Sequence, residues 1–277
     1  MSERMANRLR HGFLILLCLV LLVPFYIAVV NAFKPKDAIV SDPMGIPFAD
    51  LTLRNFAEAA FTPTFNIFKA YGTTALITIA SIVCLVALGS MMSYVLARTK
   101  HRFFTFAYLL LLGGMMIPPQ VILIPIIKLL RALGLMFSET GLILYNTGWY
   151  IPFTAFIYTG FIRTISKELD ESAMMEGANG FQIFWRIIFP ILKPPTASVV
   201  IFLFLFVWND FLNPLVLLGS TKGYTVTTGI YMAVGQYSTN WDEIFALVVL
   251  ASLPVLIVFL LLQRYFVSGL ADGAVKG

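Results

Sequence analysis

The sequence predicts an all-α membrane protein, with six transmembrane helices and a helix-turn-helix in the loop between the fourth and fifth. Three observations predict it. Of 277 residues, 59% are hydrophobic and 12% charged, with a mean hydropathy of +0.88, whereas a soluble domain carries about a quarter charged residues. Uncharged apolar runs recur at about the 20 residues a helix needs to cross roughly 30 Å of hydrocarbon. Between two of these runs lies ELDESAMMEGANGFQIFWRIIFP, Glu168 to Pro190, with four acids among its first nine residues.

In chain order the spans run approximately over 13–33, 71–96, 103–124, 141–162, 197–218 and 244–263, within one transmembrane domain of residues 1–277. The first follows Arg4, Arg8 and Arg10 and contains Pro24; it is longer than the apolar core of a secretory signal and is read as an uncleaved anchor. Its basic leader puts the N-terminus in the cytoplasm. Arg98, Lys100 and Arg102 after the second span, and Arg163, Lys167, Arg186 and Lys193 after the fourth, then fall on the same side, as the positive-inside rule requires. Six crossings return the C-terminal tail, 264–277, to the cytoplasm. In the long outer segment Lys34, Lys36, Arg54 and Lys69 are balanced by Asp37, Asp42, Asp50 and Glu58. Gly113, Gly114, Pro118 and Pro119 bend or interrupt the third span, and Ile126 to Leu135 reads as an outer interfacial helix.

The net charge of +5 is thereby a topology signal and gives no support to nucleic-acid binding. Cys18 and Cys84 fall within spans and act as small apolar side chains. His11 and His101 sit beside basic residues without metal-ligand spacing. The stretch GSTKGYT from Gly219 has a lysine but not the paired glycines of a phosphate-binding loop. The chain is expected to bind no cofactor, metal or nucleotide.

Within the charged loop, Ser166 is placed to cap a helix whose first turn carries Glu168 and Asp170. Leu169, Ala173 and Gly177 recur every four residues as a stripe of mostly small side chains. Asn179 and Gly180 suit a turn, and Phe181, Phe184, Trp185 and Ile188 give the next helix an aromatic face ended by Pro190. Two readings stand on pattern alone: an amphipathic hairpin on the inner leaflet, or a docking element for a soluble partner.

The segment resembles the cytoplasmic loop signature of ATP-binding cassette importer permeases. That signature is glutamate and two alanines, a glycine four residues later, then isoleucine, any residue, leucine and proline. Here those positions are Glu171, Ser172, Ala173, Gly177, Ile187, Phe189 and Pro190, with Ser172 and Phe189 the two departures. SYVLARTKHRFF, IPIIKLLRALGL, VWNDFLNPL and the terminal LLQRYFVSGLADGAVKG are similar to the carbohydrate-uptake branch, like the second membrane subunit of the maltose importer. The resemblance implies a second permease, two ATPase subunits that carry ATP and Mg, and an extracytoplasmic solute-binding protein meeting the loops 34–69 and 219–243. It implies that residues 163–193 form the coupling loop and that Gly269, Gly273, Lys276 and Gly277 lie in a tail touching the ATPases.

Asp210 is the one charge inside a predicted span, where a charge costs about 2.5–3.5 kcal/mol on insertion scales. With Trp208, Asn209 and Asn213 it offers groups suited to a hydroxylated solute; equally, it bonds a neighbouring helix or lies at the interface. Tyr145, Asn146, Trp149 and Tyr150 raise the same question, since interfacial belts also use Tyr and Trp. The resulting expectation is a sugar or polyol importer subunit in the plasma membrane. The alternative, a stand-alone secondary transporter, is disfavoured because the spans hold no titratable relay beyond Asp210. The lack of intramembrane His, Cys or acid pairs likewise argues against a membrane-embedded enzyme.

Overall fold

The computed structural model describes residues 3–48, 50–61, 65–219, 223–234 and 240–274. Its helices are α1 (Glu3–Ala32), α2 (Lys36–Ser41), α3 (Arg54–Ala60), α4 (Ile67–Arg98), α5 (Arg102–Gly114), α6 (Pro119–Ala132) and α7 (Glu139–Ile162). There follow α8 (Glu168–Met175), α9 (Gly180–Ile191), α10 (Lys193–Trp208), α11 (Val226–Val234) and α12 (Trp241–Ala274). No strand occurs among the described residues.

Among the described residues, three stretches are single helices long and apolar enough to cross a membrane: Leu9–Ala32, Ile67–Arg98 and Trp241–Leu261. Two bent pairs also qualify if each is one span, namely α5 with α6, bent by 106°, and α9 with α10, bent by 77°. At 24 residues α7 is long enough, but buried Asn146, Thr147, Thr154 and Thr159 make it more polar than a lipid-facing span.

Several predicted boundaries move. The third span does not run straight over 103–124: α5 stops at Gly114, and α6 starts at Pro119, where a proline's missing N–H costs nothing. The interfacial helix expected at 126–135 is the later part of α6. The fifth span, expected over 197–218, breaks after Trp208 and resumes as a π-helical turn, Pro214–Leu218. Pro214 explains the break, because its ring crowds the carbonyl four residues back, that of Asp210. Helix α12 continues through Ala274, so most of the expected tail is helical.

The chain divides into two compact units. One comprises Met1–Phe68 and Val226–Pro254. Its segment after α1 is held by side chains that bond backbone carbonyls. Asn31 Nδ2 donates to Ile27 O (2.8 Å) and Pro43 O (2.9 Å), and Asn55 Nδ2 to Ala32 O (3.0 Å) and Lys34 O (2.7 Å). Lys34 is buried, and its ammonium donates to the backbone carbonyl of Asp42 instead of balancing an acid at the surface. Arg54 and Glu58 do pair, at 2.5 Å, on an exposed face.

The other unit comprises Lys69–Thr225 and Val255–Gly277. One cluster of buried side chains joins Leu85 of α4, Tyr158 and Ile162 of α7, Ala173 of α8, Ile183, Phe184 and Ile188 of α9, and Val199 and Leu203 of α10. The loop between the fourth and fifth predicted spans therefore shares one core with the helices on either side of it. Gly89 brings α4 against α7: a Cβ there would stand 2.3 Å from Thr154 Oγ1.

Candidate functional site

Ser138 caps α7 by accepting from Gly141 N at 3.0 Å, and the helix carries the chain to Ile162, beyond which its last carbonyls lack intrahelical donors. Arg98, the final residue of α4, supplies donors there. Its guanidinium donates through Nη1 to Ile162 O (3.3 Å) and Ile165 O (3.0 Å), and through Nη2 to Ser166 O (3.4 Å). The same Nη2 lies 2.7 Å from Asp170 Oδ2, a close ion pair whose N–H is turned towards the Ser166 carbonyl. Tyr94, one turn earlier on α4, donates to Asp170 Oδ1 at 2.5 Å. Both side chains of the ion pair are largely out of solvent, at 12% and 7% exposure.

On α8, Ser166 Oγ accepts from Glu168 N at 3.2 Å. Ala173 is buried in the chain's own core and Leu169 is largely exposed, so the small-residue stripe is not one outward face. Gly177 sits beyond the helix with φ +84°, bonded to Met174 O, and its absent Cβ would touch nothing. The left-handed position of the turn is thus Gly177. Asn179 and Gly180, read from the sequence as the turn, are not left-handed: Gly180 opens α9, and Asn179, with φ −80°, caps it in a reciprocal capping box in which its Oδ1 accepts from Gln182 N and Gln182 Oε1 from Asn179 N, both at 2.9 Å. The buried side of α9 is Ile183, Phe184 and Ile188, while Phe181 is 64% exposed. Residues Phe184–Ile188 form a π-helical turn that accommodates Pro190, and the helix runs past that proline to Ile191.

Of the signature positions, Glu171, Ser172, Gly177 and Pro190 are exposed, Ile187 and Phe189 half-buried, and Ala173 buried. Phe189 packs on Trp185, ring centroids 4.8 Å apart. The exposed surface of the segment combines the carboxylates of Glu168, Glu171 and Glu176 with Met174, Met175 and Phe181. Met175 is 89% exposed.

The second candidate region lies around the break after Trp208. The Asp210 carboxylate accepts from Asn213 N (3.3 Å) and Asn213 Nδ2 (2.8 Å). This is an N-cap, opening the short helical stretch that ends in the π-helical turn. Trp208 is buried, stacked on Phe204 (5.1 Å) and Tyr71 (6.5 Å). Asn209 is exposed and bonds back to Leu205 O at 2.9 Å. On α7, Tyr145 stacks on Trp149 at 6.3 Å, and Asn146 Nδ2 donates to Ser81 Oγ at 3.3 Å. Tyr145 shares a buried cluster with Val207, Leu217 and Leu218, on either side of Asp210 and Asn213 in the chain. The oxygens Tyr145 Oη, Asn146 Oδ1 and Asn213 Oδ1 are buried without a hydrogen-bond partner among the described residues, a state that buried polar groups rarely keep. A separate cavity of about 370 Å³ is lined by Trp149, Tyr150, Phe153, Phe206 and the glycines Gly114 and Gly148.

Gly269 and Gly273 lie on the backbone of α12, while Lys276 and Gly277 fall outside the described residues. No group of metal-ligating residues occurs among the described residues. Pattern reasoning missed the roles of Arg98, Tyr94 and Asp170. The available signal was a cationic helix end in SYVLAR and an acid in a first turn, with nothing to pair them across the intervening sequence.

Residues 86–272 match the family of binding-protein-dependent transport system inner membrane components. The chain is 36% identical over 256 residues to the melibiose/raffinose/stachyose import permease protein MelC of Bacillus subtilis (strain 168), covering 92% of this chain and 91% of that one. It is 32% identical to the probable starch degradation products transport system permease protein AmyC of Thermoanaerobacterium thermosulfurigenes, over 95% and 94% of the two chains. In fold it resembles a chain of a bacterial ABC transporter involved in the import of the acidic polysaccharide alginate, with TM-score 0.78, 20% identity and coverage of 96% and 99%.

Proposed function

This chain belongs to the family of binding-protein-dependent transport system inner membrane components, and on that premise we propose that it forms one half of a heterodimeric pore importing a carbohydrate. As a member of that family it is a multi-pass inner-membrane transport component and not an enzyme. The stand-alone secondary-transporter alternative finds no support there. In our reading a second permease completes the pore, two ATPase subunits supply ATP and Mg, and a solute-binding protein delivers the sugar. Six spans with both termini cytoplasmic fit this arrangement when α1, α4, the bent pair α5 and α6, α7, α10 and α12 each count as a crossing and α9 stays in the cytoplasmic segment.

The observation that carries the reading is the segment 163–193. Its base is locked into the permease's own core, while Glu171, Met174, Met175 and Phe181 stand outward. A rigid element whose outer surface carries charges of both signs and exposed apolar side chains can receive a rigid-body movement from an ATPase and pass it on. Gly177 keeps the turn in shape, and the tail through Gly269 and Gly273 to Lys276 and Gly277 is a second proposed ATPase contact. Tyr145, Asn146 and Asn213 are proposed pathway residues, because their unpartnered oxygens suit the hydroxyls of a sugar and Trp149 offers a stacking face. Trp208 and Asn209 are weaker candidates on this geometry, and Asp210 contributes by holding Asn213.

The test is gentle solubilisation of the tagged chain from its native membrane, followed by mass spectrometry of what accompanies it. A second permease and an ATPase whose hydrolysis responds to melibiose, raffinose or maltodextrin with its binding protein are expected. A stable chain that binds a sugar with no ATPase would overturn the reading.

A further inference from the structure

The coupling segment is covalently joined to α7 and α10, but its buried charge is held by neither. Asp170, in the first turn of α8, is met by Arg98 and Tyr94, both on α4 and 72 and 76 residues away in sequence, counting 170 − 98 and 170 − 94. Arg98 also binds three carbonyls at the C-terminal end of α7 and beyond it. One guanidinium therefore spans the hinge, residues 163–167, between a helix's negative end and the acid at the next helix's positive start. Tyr94 touches α9 as well, its ring 5.5 Å from that of buried Phe184. Further along α4, Gly89 is pressed against Thr154 of α7.

We infer that Arg98, Asp170 and Tyr94 are positioning residues of energy coupling, which make α4 move with α8 when a partner displaces the loop. The inference rests on the reading of residues 163–193 as the ATPase contact. Without the clamp, a push on α8 would be absorbed by the hinge. With it, the push reaches α4 through charge-assisted contacts and reaches α7 both by chain continuity and through the arginine. Arginine suits the role because its planar fork serves carbonyls and carboxylate at once, which a lysine ammonium cannot do in the same geometry.

The experiment uses the purified importer in proteoliposomes with its binding protein and raffinose or another transported sugar as probe. Asp170→Asn keeps the shape and removes the charge. Arg98→Lys keeps the charge and removes the fork. Each is expected to lower sugar uptake per ATP hydrolysed by roughly tenfold or more, a typical coupling factor, with ATPase subunits still bound. Asp170→Glu should recover most of the loss and Tyr94→Phe should show a smaller one. In parallel, spin labels at the exposed positions 95 and 172, with Cys18 and Cys84 replaced, should give a narrow distance distribution that broadens in Asp170→Asn. Wild-type uptake per ATP in Arg98→Lys and Tyr94→Phe, with unbroadened distances, would overturn the inference. A separate control, Gly177→Val, distinguishes the two levels: if it transports normally, the coupling-loop reading itself fails; if it does not while the clamp variants do, only the clamp fails.

Discussion

Asp170 and Asp210 are both acids in a chain made mostly of apolar residues, and they are held in opposite ways. Asp170 is held from a distance, by an arginine and a tyrosine on a helix far away in sequence. Among the described residues, the hydrogen bonds to Asp210 come from Asn213, three residues on. The first arrangement ties helices to one another. The second lets a broken helix restart. The residue conspicuous in the sequence, a lone charge within a predicted span, has the local role, and the residue that looked like an ordinary first-turn acid has the long-range one.

The comparison breaks most decisively at Asp170. Removing one partner of a buried ion pair costs about 3–5 kcal/mol, so Asp170→Ala is expected to lower the thermal midpoint of the purified chain by far more than any change at Asp210. Equal shifts would erase the distinction. Next comes Gly177→Val, where a β-branched residue is forced to φ +84° at a cost of about 1–2 kcal/mol. Since a Cβ meets no neighbour there, Gly177→Asn, which tolerates that backbone, should recover most of the stability in the same melt. Asp210→Ala removes a helix cap worth about 1 kcal/mol, visible as a small fall in the midpoint. The smallest effect is expected for Asp210→Asn, whose amide oxygen can still accept from Asn213: about 0.5 kcal/mol or less. Uptake kinetics sharpen this case, because a changed KM with unchanged stability would assign Asp210 a solute contact in addition to its cap.

Periodicity and composition made much of the architecture legible. Runs of apolar residues mark α1, α4 and α12 because lipid demands them, and the core face of α9 is visible in the spacing of Phe184 and Ile188. What stayed hidden depends on contacts between distant segments or on backbone geometry that several residues could supply. Ala173 looked outward because small residues suit close approach to any surface, including the chain's own. The turn legible at Asn179 and Gly180 falls instead at Gly177, because Asn179 is occupied in a capping box with Gln182 and Gly180 opens α9. The break after Trp208 was signalled by Pro214, but that its Asp210 carbonyl would be displaced and the carboxylate turned into a cap requires the folded backbone.

The central claim, that residues 163–193 are where an ATPase grips this permease, is tested most directly by contact. A photo-crosslinking amino acid placed at Met175, 89% exposed, in the chain expressed in its native membrane should capture one protein on irradiation. The account predicts that peptide mapping identifies it as a nucleotide-binding ATPase subunit. Capture of lipid alone, with no ATPase peptide, would contradict it.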